Sequence, residues 1–350
     1  MEIGFTLSSE EQGPKDLVHL ARAAEEAGFS FATISDHFHP WTSQQGNSPF
    51  VWCVLGAIAG ATSQIRVGTA VTCPLIRIHP AIVAQAAATV TEMMPGRFFL
   101  GVGTGENLNE HVTGQRWPSA NERRELLKEA IAVIRGLWAG GLVEHRGPGY
   151  QVIDAQLFTL PAEPPPIYVA AAGRIAAEFA ADVGDGLIGT APEQDLVASF
   201  VEHSGSTKPK LGQLTVCWAP NERTALDTAM RWWPTAAVKG ELMQELPLPR
   251  HFEQATEMVT RDQLKEVVVC GPDASRYRRS VRMRSPAMTT FHPSGRTRSG
   301  QGSGVPRRGS AARVEATGGV EEGQLTRSGT HERRGAIARQ ATERQERATV

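Results

Sequence analysis

Short apolar runs alternate along this chain with longer stretches whose apolar residues recur every three or four positions. The runs Ile3 to Leu7, Phe31 to Ser35, Ile65 to Thr72, Phe98 to Val102, Ile167 to Ala171, Leu187 to Thr190 and Leu214 to Trp218 read as strands. Phe98 to Val102 is nearly continuous in its apolar character, as a strand buried on both faces requires. The intervening stretches read as helices. The first has Pro14 near its start, Leu17, Leu20, Ala21, Ala24 and Ala27 on one face, and Gly28 at its end. Others run from Pro49 to Thr62 and from Pro80 to Met94, and Ser119-Ala120-Asn121-Glu122 fits a capping box opening an amphipathic helix to Trp138. Two stretches break the rhythm. Gly140 to Asp154 is polar and Gly-rich and predicts a β-hairpin insertion. Asn221 to Lys265, with Trp232-Trp233-Pro234, predicts an inserted helical segment.

Strands alternating with helices imply a parallel sheet, and seven with short connections favour a TIM-like (β/α)8 barrel over an open sheet. The pattern supplies no convincing eighth strand. Residues 276–350 contain no Trp, Cys, Asp or Lys, and carry 16 Arg against 6 Glu. With few large apolar residues, such a segment has too little surface to bury for its ordering entropy to be offset. The expected organisation is therefore a barrel domain over 1–275, lacking a normal eighth strand, and an Arg-rich disordered tail over 276–350. Loss of that strand predicts open edges on strands one and seven.

Net charge is -1, but the tail holds about +10 and the remainder about -11. The near-neutral balance argues against general attraction to nucleic acid or to a membrane surface. No apolar run approaches the roughly 20 residues that span a bilayer, and Met1-Glu2-Ile3-Gly4 opens no signal peptide. Cys53, Cys73, Cys217 and Cys270 are scattered without C-x-x-C spacing, which disfavours disulfides and zinc and suits a cytoplasmic protein.

In barrels the chemistry lies at the C-terminal ends of the strands. Ser35-Asp36-His37-Phe38-His39-Pro40-Trp41 follows the second strand there, and Gly101-Val102-Gly103-Thr104-Gly105-Glu106 follows the fourth. A His beside a carboxylate can serve as general base, and Glu106 as a second proton carrier; the plainer reading, in which His37 only satisfies a strand end, stays open. His39, before Pro40, suits a turn. No third His stands at a later strand end, so no metal site is expected. The glycine run is neither a dinucleotide fingerprint nor a Walker loop. Ala170-Ala171-Ala172-Gly173-Arg174 ends the fifth strand and opens a helix, where small residues let a phosphate approach backbone N–H groups; ordinary close packing explains it equally.

Together with Pro80-Ala81-Ile82-Val83-Ala84-Gln85, Pro95-Gly96-Arg97-Phe98-Phe99-Leu100, Asn107-Leu108-Asn109-Glu110 and Gly184-Asp185-Gly186, these segments resemble the luciferase-like class of coenzyme F420-dependent oxidoreductases, in the branch that contains F420-dependent glucose-6-phosphate dehydrogenase. The resemblance implies a luciferase-like barrel, a homodimer and coenzyme F420 in a cleft at the strand ends. It implies His37 as the base that takes a hydroxyl proton while hydride passes to the deazaflavin C5. It further implies Glu106 as the acid near the deazaflavin N1, Trp41 lining the substrate side and Glu11 as a substrate-side glutamate. Asp36, Thr72, Asn109, Ala171, Ala172 and Gly173 fall where the family contacts F420, and Ala70-Val71 where it has a non-proline cis peptide behind the cofactor. The stretches that hold a sugar phosphate with Lys and Arg in that branch are here Thr190-Ala191-Pro192-Glu193 and Arg250-His251-Phe252-Glu253-Gln254. The missing lysines disfavour glucose 6-phosphate and leave a neutral alcohol or an unrelated F420-dependent reduction. Past Cys270-Gly271-Pro272-Asp273 the likeness stops. The codons of Ser285-Pro286-Ala287-Met288-Thr289-Thr290-Phe291, read from each third base, permit the family-type segment Ala-Gly-Tyr-Asp-Asp-Val, which points to a frameshift near Ser275. An FMN-dependent luciferase-like monooxygenase and an inactive cofactor-binding product are the alternative readings.

Overall fold

The computed structural model describes residues 2–191, 193–205 and 207–272, and the backbone of 288–293. The chain runs β1 (Ile3–Leu7), α1 (Pro14–Glu26), β2 (Phe31–Ile34), α2 (Val51–Ala61), β3 (Arg66–Thr69), α3 (Pro80–Met93), β4 (Phe98–Val102), α4 (Asn107–Glu110) and α5 (Ala120–Trp138). An antiparallel hairpin, β5 (Val143–Arg146) and β6 (Gln151–Ala155), follows where the polar stretch predicts it. Then come β7 (Ile167–Ala171), α6 (Arg174–Val183), β8 (Gly186–Gly189), α7 (Gln194–Ser204) and β9 (Lys210–Cys217). The predicted helical insertion is α8 (Glu222–Trp232), α9 (Leu242–Glu245), α10 (Pro249–Thr256) and α11 (Arg261–Val267), ending in β10 (Val268–Cys270); β11 is Met288–Pro293.

Helix boundaries follow local chemistry. Pro14 and Pro80 stand in the first turns of α1 and α3, where a missing N–H removes no helical bond. Ser119 and Glu122 form the expected capping box on α5, and Thr260 with Gln263 forms a second on α11.

The strands pair in parallel in the order β1-β2-β3-β4-β7-β8-β9, and β11 lies between β9 and β1. Met288 stands opposite Leu211 and Pro293 opposite Val216 on one side, while Thr289 to Phe291 face Ile3 to Phe5 on the other. The TIM-like barrel is therefore present with eight strands. The backbone of Met288–Pro293 occupies the eighth place and pairs with both β9 and β1, so these two edges are not left open, although its sequence is not the family-type segment. Unpaired N–H and C=O groups along β1 and β9 favour pairing with an extended segment. Thr289-Thr290-Phe291 is a short β-favouring run, concealed in the sequence by its Pro- and Arg-rich surroundings. The expected domain boundary at 275 and the tail beyond 293 lie outside the described residues.

Inside the barrel a glycine faces an aromatic ring three times across neighbouring strands. Gly4 pairs with Phe31, Gly68 with Phe99 and Gly186 with Tyr168. A Cβ on Gly68 would stand 2.2 Å from the Phe99 ring, and one on Gly4 2.3 Å from the Phe31 ring. The rings, joined by Ile188 and Leu211, plug the barrel beneath Ala70 and Val71. Outside, the helices pack on the sheet through a second, larger core that includes Leu17, Leu55, Ile58, Val83, Leu100, Ile131 and Phe200.

Candidate active site

The loops after β1, β2, β3 and β4 converge at the C-terminal end of the barrel, and the insertion docks on them. His37 follows β2 and is 9% exposed. Its Nδ1 lies 3.1 Å from the carbonyl of His39. A carbonyl only accepts, so this nitrogen bears the proton and Nε2 is the ring's basic atom. Nε2 stands 3.4 Å from Glu10 Oε1. Glu10 is buried and accepts from Ser35 Oγ at 2.7 Å and Ser8 Oγ at 2.9 Å. Burial alone would raise its carboxyl; the His37 ring and the hydrogen bonds from Ser35, its own backbone and Ser8 together hold it below the ordinary value.

Glu10, not singled out by sequence reasoning, thus takes the place beside His37. Glu11, the residue expected on the substrate side, is also buried, and its carboxylate accepts from the indole N–H of Trp233 in the insertion. Adjacent glutamates on a turn face different partners, and the pair Glu10-Glu11 was the available signal.

Trp41 closes the other side of His37, edge-on at 4.8 Å between ring centroids, and Phe252 of α10 packs edge-on to Trp41 at 5.2 Å. The insertion is fastened by polar contacts as well. Glu253 accepts from Ser43 N–H at 2.8 Å, Gln45 donates to the Trp232 carbonyl at 3.2 Å, and Asn107 donates to the Glu245 carbonyl at 3.0 Å. Arg123, 1% exposed, lies over the Trp117 ring and reaches Gln244 at 2.8 Å and Glu245 at 3.2 Å.

Glu106 is the half-buried N-cap of α4, and its Oε2 accepts from Asn109 Nδ2 at 3.3 Å. Asn109 Oδ1 accepts from Phe38 N–H at 2.9 Å and His39 N–H at 3.2 Å, pinning the His37 loop to the Glu106 helix. Asp36 Oδ2 accepts from Thr72 Oγ1 at 2.8 Å and Oδ1 from Arg77 at 2.8 Å. Asp36, Thr72 and Asn109 thus turn their polar side-chain atoms toward one another's loops.

The Ala70-Val71 peptide is cis, as the resemblance implied. A Cβ on Gly103 would meet Val71 at 2.7 Å, so the glycine run after β4 lets that loop lie against the cis segment. Ala171, Ala172 and Gly173 follow β7. Gly173 opens α6 without a side-chain cap, and a Cβ added there meets nothing within 4 Å. Open space beside uncapped backbone N–H groups at a helix start suits an anionic group, so these small residues fit the phosphate-bearing part of a cofactor. His39 serves the turn: its Nδ1 lies 2.8 Å from the Leu108 carbonyl and its ring stacks on His111. Among the described residues no His, Cys, Asp or Glu cluster gathers that could hold a metal, and no helix is long and apolar enough to cross a membrane.

The chain is similar over most of its length to proteins of known activity. It is 44% identical over 272 residues to the F420-dependent glucose-6-phosphate dehydrogenase of Kribbella flavida, covering 74% of this chain and 79% of the relative. To the enzyme of the same name from Segniliparus rotundus it is 35% identical over 288 residues, covering 78% and 86%. Among solved structures it resembles an F420-dependent secondary alcohol dehydrogenase in complex with an F420-acetone adduct, with a TM-score of 0.77 and 29% identity over 83% of this chain and 93% of that one. Residues 1–289 match the family described as luciferase-like monooxygenase. With an eight-stranded barrel, a His-carboxylate pair at its strand ends and that match across most of its length, the chain belongs to the luciferase-like monooxygenase family.

Proposed function

We propose that this protein is a coenzyme F420-dependent oxidoreductase acting on the CH–OH group of a neutral alcohol. The carrying observation is the juxtaposition of His37 Nε2 with the Glu10 carboxylate, under the aromatic wall of Trp41 and Phe252. Coenzyme F420, when bound, exchanges a hydride at its deazaflavin C5. His37 Nε2 takes the hydroxyl proton as the hydride leaves the alcohol carbon, and the imidazolium so formed is stabilised by Glu10 on one side and by the His39 carbonyl at Nδ1 on the other. Trp41, backed by the buried Phe252, excludes water and orients the alcohol. Glu106, held by Asn109, would be the second proton carrier for the bound cofactor. Ala70, Val71, Ala171, Ala172 and Gly173 would hold the cofactor through backbone and small side chains, while Asp36, Thr72 and Asn109 fix the loops around it.

The chemistry of the cleft favours an uncharged substrate. Thr190-Ala191-Pro192-Glu193 and Arg250-His251-Phe252-Glu253-Gln254, the stretches that hold a phosphate in the resembling branch, contain no Lys, and Glu10 and Glu11 are both buried at this end. A dianion would lose charge-assisted bonds and meet carboxylates instead. The test compares 2-propanol and related secondary alcohols with glucose 6-phosphate, following loss of F420 fluorescence. The expected result is turnover of an alcohol with glucose 6-phosphate at least about tenfold poorer in kcat/KM. A preference for glucose 6-phosphate would overturn the substrate assignment, and oxygen-dependent consumption of FMNH2 would favour a monooxygenase. The proposal includes a cytoplasmic homodimer and a frameshift origin of residues 276–350; equilibrium sedimentation tests the dimer, and resequencing across the Ser275 codon tests the shift.

A further inference from the structure

Arg77, in the loop after β3, has a side chain 8% exposed that lies between two fully buried carboxylates. Its Nη2 donates to Asp36 Oδ1 at 2.8 Å and to the Asp36 carbonyl at 3.4 Å, and its Nε faces Glu110 Oε1 at 3.5 Å. Its backbone N–H donates to Glu110 Oε2 at 2.8 Å, joined by that of Ile76 at 3.2 Å. Asp36 immediately precedes His37, and Glu110 closes the short helix that begins at Glu106. Arg77 therefore ties three strand-end loops at one point. We propose that Arg77 is a positioning residue of the hydride-transfer site, locking the loop of His37 against the helix of Glu106 and setting the charge field in which His37 takes its proton.

This rests on the functional reading above for its role in turnover, though not for its effect on the charge around His37. A buried ion cluster is a poor source of stability, because desolvation offsets the attraction; fixing a unique geometry is the better account of one here. Its composition sharpens the point. One guanidinium serves two carboxylates, and burial pushes the Glu110 carboxyl above its ordinary value despite the Arg77 contacts. Removing the cation leaves both carboxylates with neutral donors alone, Thr72 on Asp36 and two backbone N–H groups on Glu110. The planar fork also matters, since its Nη2 addresses Asp36 while its Nε addresses Glu110.

The charged groups in the loops packed around His37 are Glu10 and Glu11 after β1, Asp36 and His39 in its own loop, Arg77 after β3, and Glu106 and Glu110 after β4; the insertion brings Phe252, Trp233 and Glu253. Of these, Arg77 is the cation hydrogen-bonded to the residue preceding His37. The experiment uses the full-length chain with Arg77→Met and Arg77→Lys. The His37 Cε1–H resonance is followed against pH by NMR without cofactor, and kcat and KM for a secondary alcohol are measured with F420. Arg77→Met should move the His37 titration midpoint up by about half a pH unit or more. It should lower kcat at least about tenfold, with KM changed less than about threefold. Arg77→Lys should restore the midpoint, because the charge remains, but only part of kcat, because the fork is lost. If Arg77→Met does not fold, Arg77→Lys still decides: full kcat with only a lower melting temperature makes Arg77 a structural residue and overturns the proposal. An unmoved midpoint in folded Arg77→Met overturns it as well. Wild-type protein that reduces no F420 would instead refute the functional reading, and the cofactor-free titration would then judge Arg77 alone.

Discussion

Replacing Glu10 by Gln keeps the shape beside His37 and removes the charge. The imidazolium formed during turnover then loses its partner at 3.4 Å. The expected loss in kcat/KM is roughly 10- to 100-fold, the range for a hydrogen bond to a charged group. With the anion gone, the protonated base is less favoured, so the acid limb of the kcat/KM profile should move to lower pH; an unmoved limb would separate Glu10 from the proton transfer. The same residue predicts a stability change. Its folded value lies below the ordinary 4.5, so the stabilisation is complete above about pH 4.5 and is lost as pH falls through that lower value. Glu10→Gln should therefore flatten the acid arm of a pH-dependent melting curve. His37→Ala should lower turnover by about 10²- to 10⁴-fold while leaving F420 affinity near wild type. Equal loss of both, read by fluorescence titration and steady-state rates, would make His37 structural.

At the scale of elements, the barrel depends on glycines set against rings. Gly68→Ala forces the Phe99 ring or the strand to move, since the new Cβ would stand 2.2 Å from it. Overpacking of this kind costs about 1–3 kcal/mol, which denaturant unfolding can measure; a neutral substitution would mean that the barrel interior is loosely packed. The strands, the long helices, the hairpin and the inserted helical segment were legible because each has its own period or punctuation. Phe98–Val102 is apolar throughout and buried throughout, and Ser119 with Glu122 announces α5. His37, Trp41 and Glu106 were legible as chemistry because they follow strands. Arg77, Glu10 and Glu110 were not. Their partners lie on other loops, and the three-dimensional convergence of loops after β1, β2, β3 and β4 leaves no mark in local spacing. Phe252 was hidden for the same reason, since its contact with Trp41 spans more than two hundred residues.

For the whole molecule the issue is closure. β11 pairs along both β9 and β1, so the described backbone completes the ring even though its sequence differs from the family-type segment. Truncation after Ser275 should expose both edges, lower the melting temperature and weaken cofactor binding; a truncated chain indistinguishable from full length would show that Met288–Pro293 contributes nothing to the cleft. The central claim is that these loops together form an F420 site that oxidises alcohols. Its most direct test is titration of the full-length protein with F420, alongside FMN and NADP, followed by addition of a secondary alcohol while F420 fluorescence is recorded. The account predicts selective F420 binding and an alcohol-dependent loss of fluorescence that His37→Ala abolishes. A folded protein that prefers FMN, or that binds F420 and leaves its fluorescence unchanged across secondary alcohols, would contradict it.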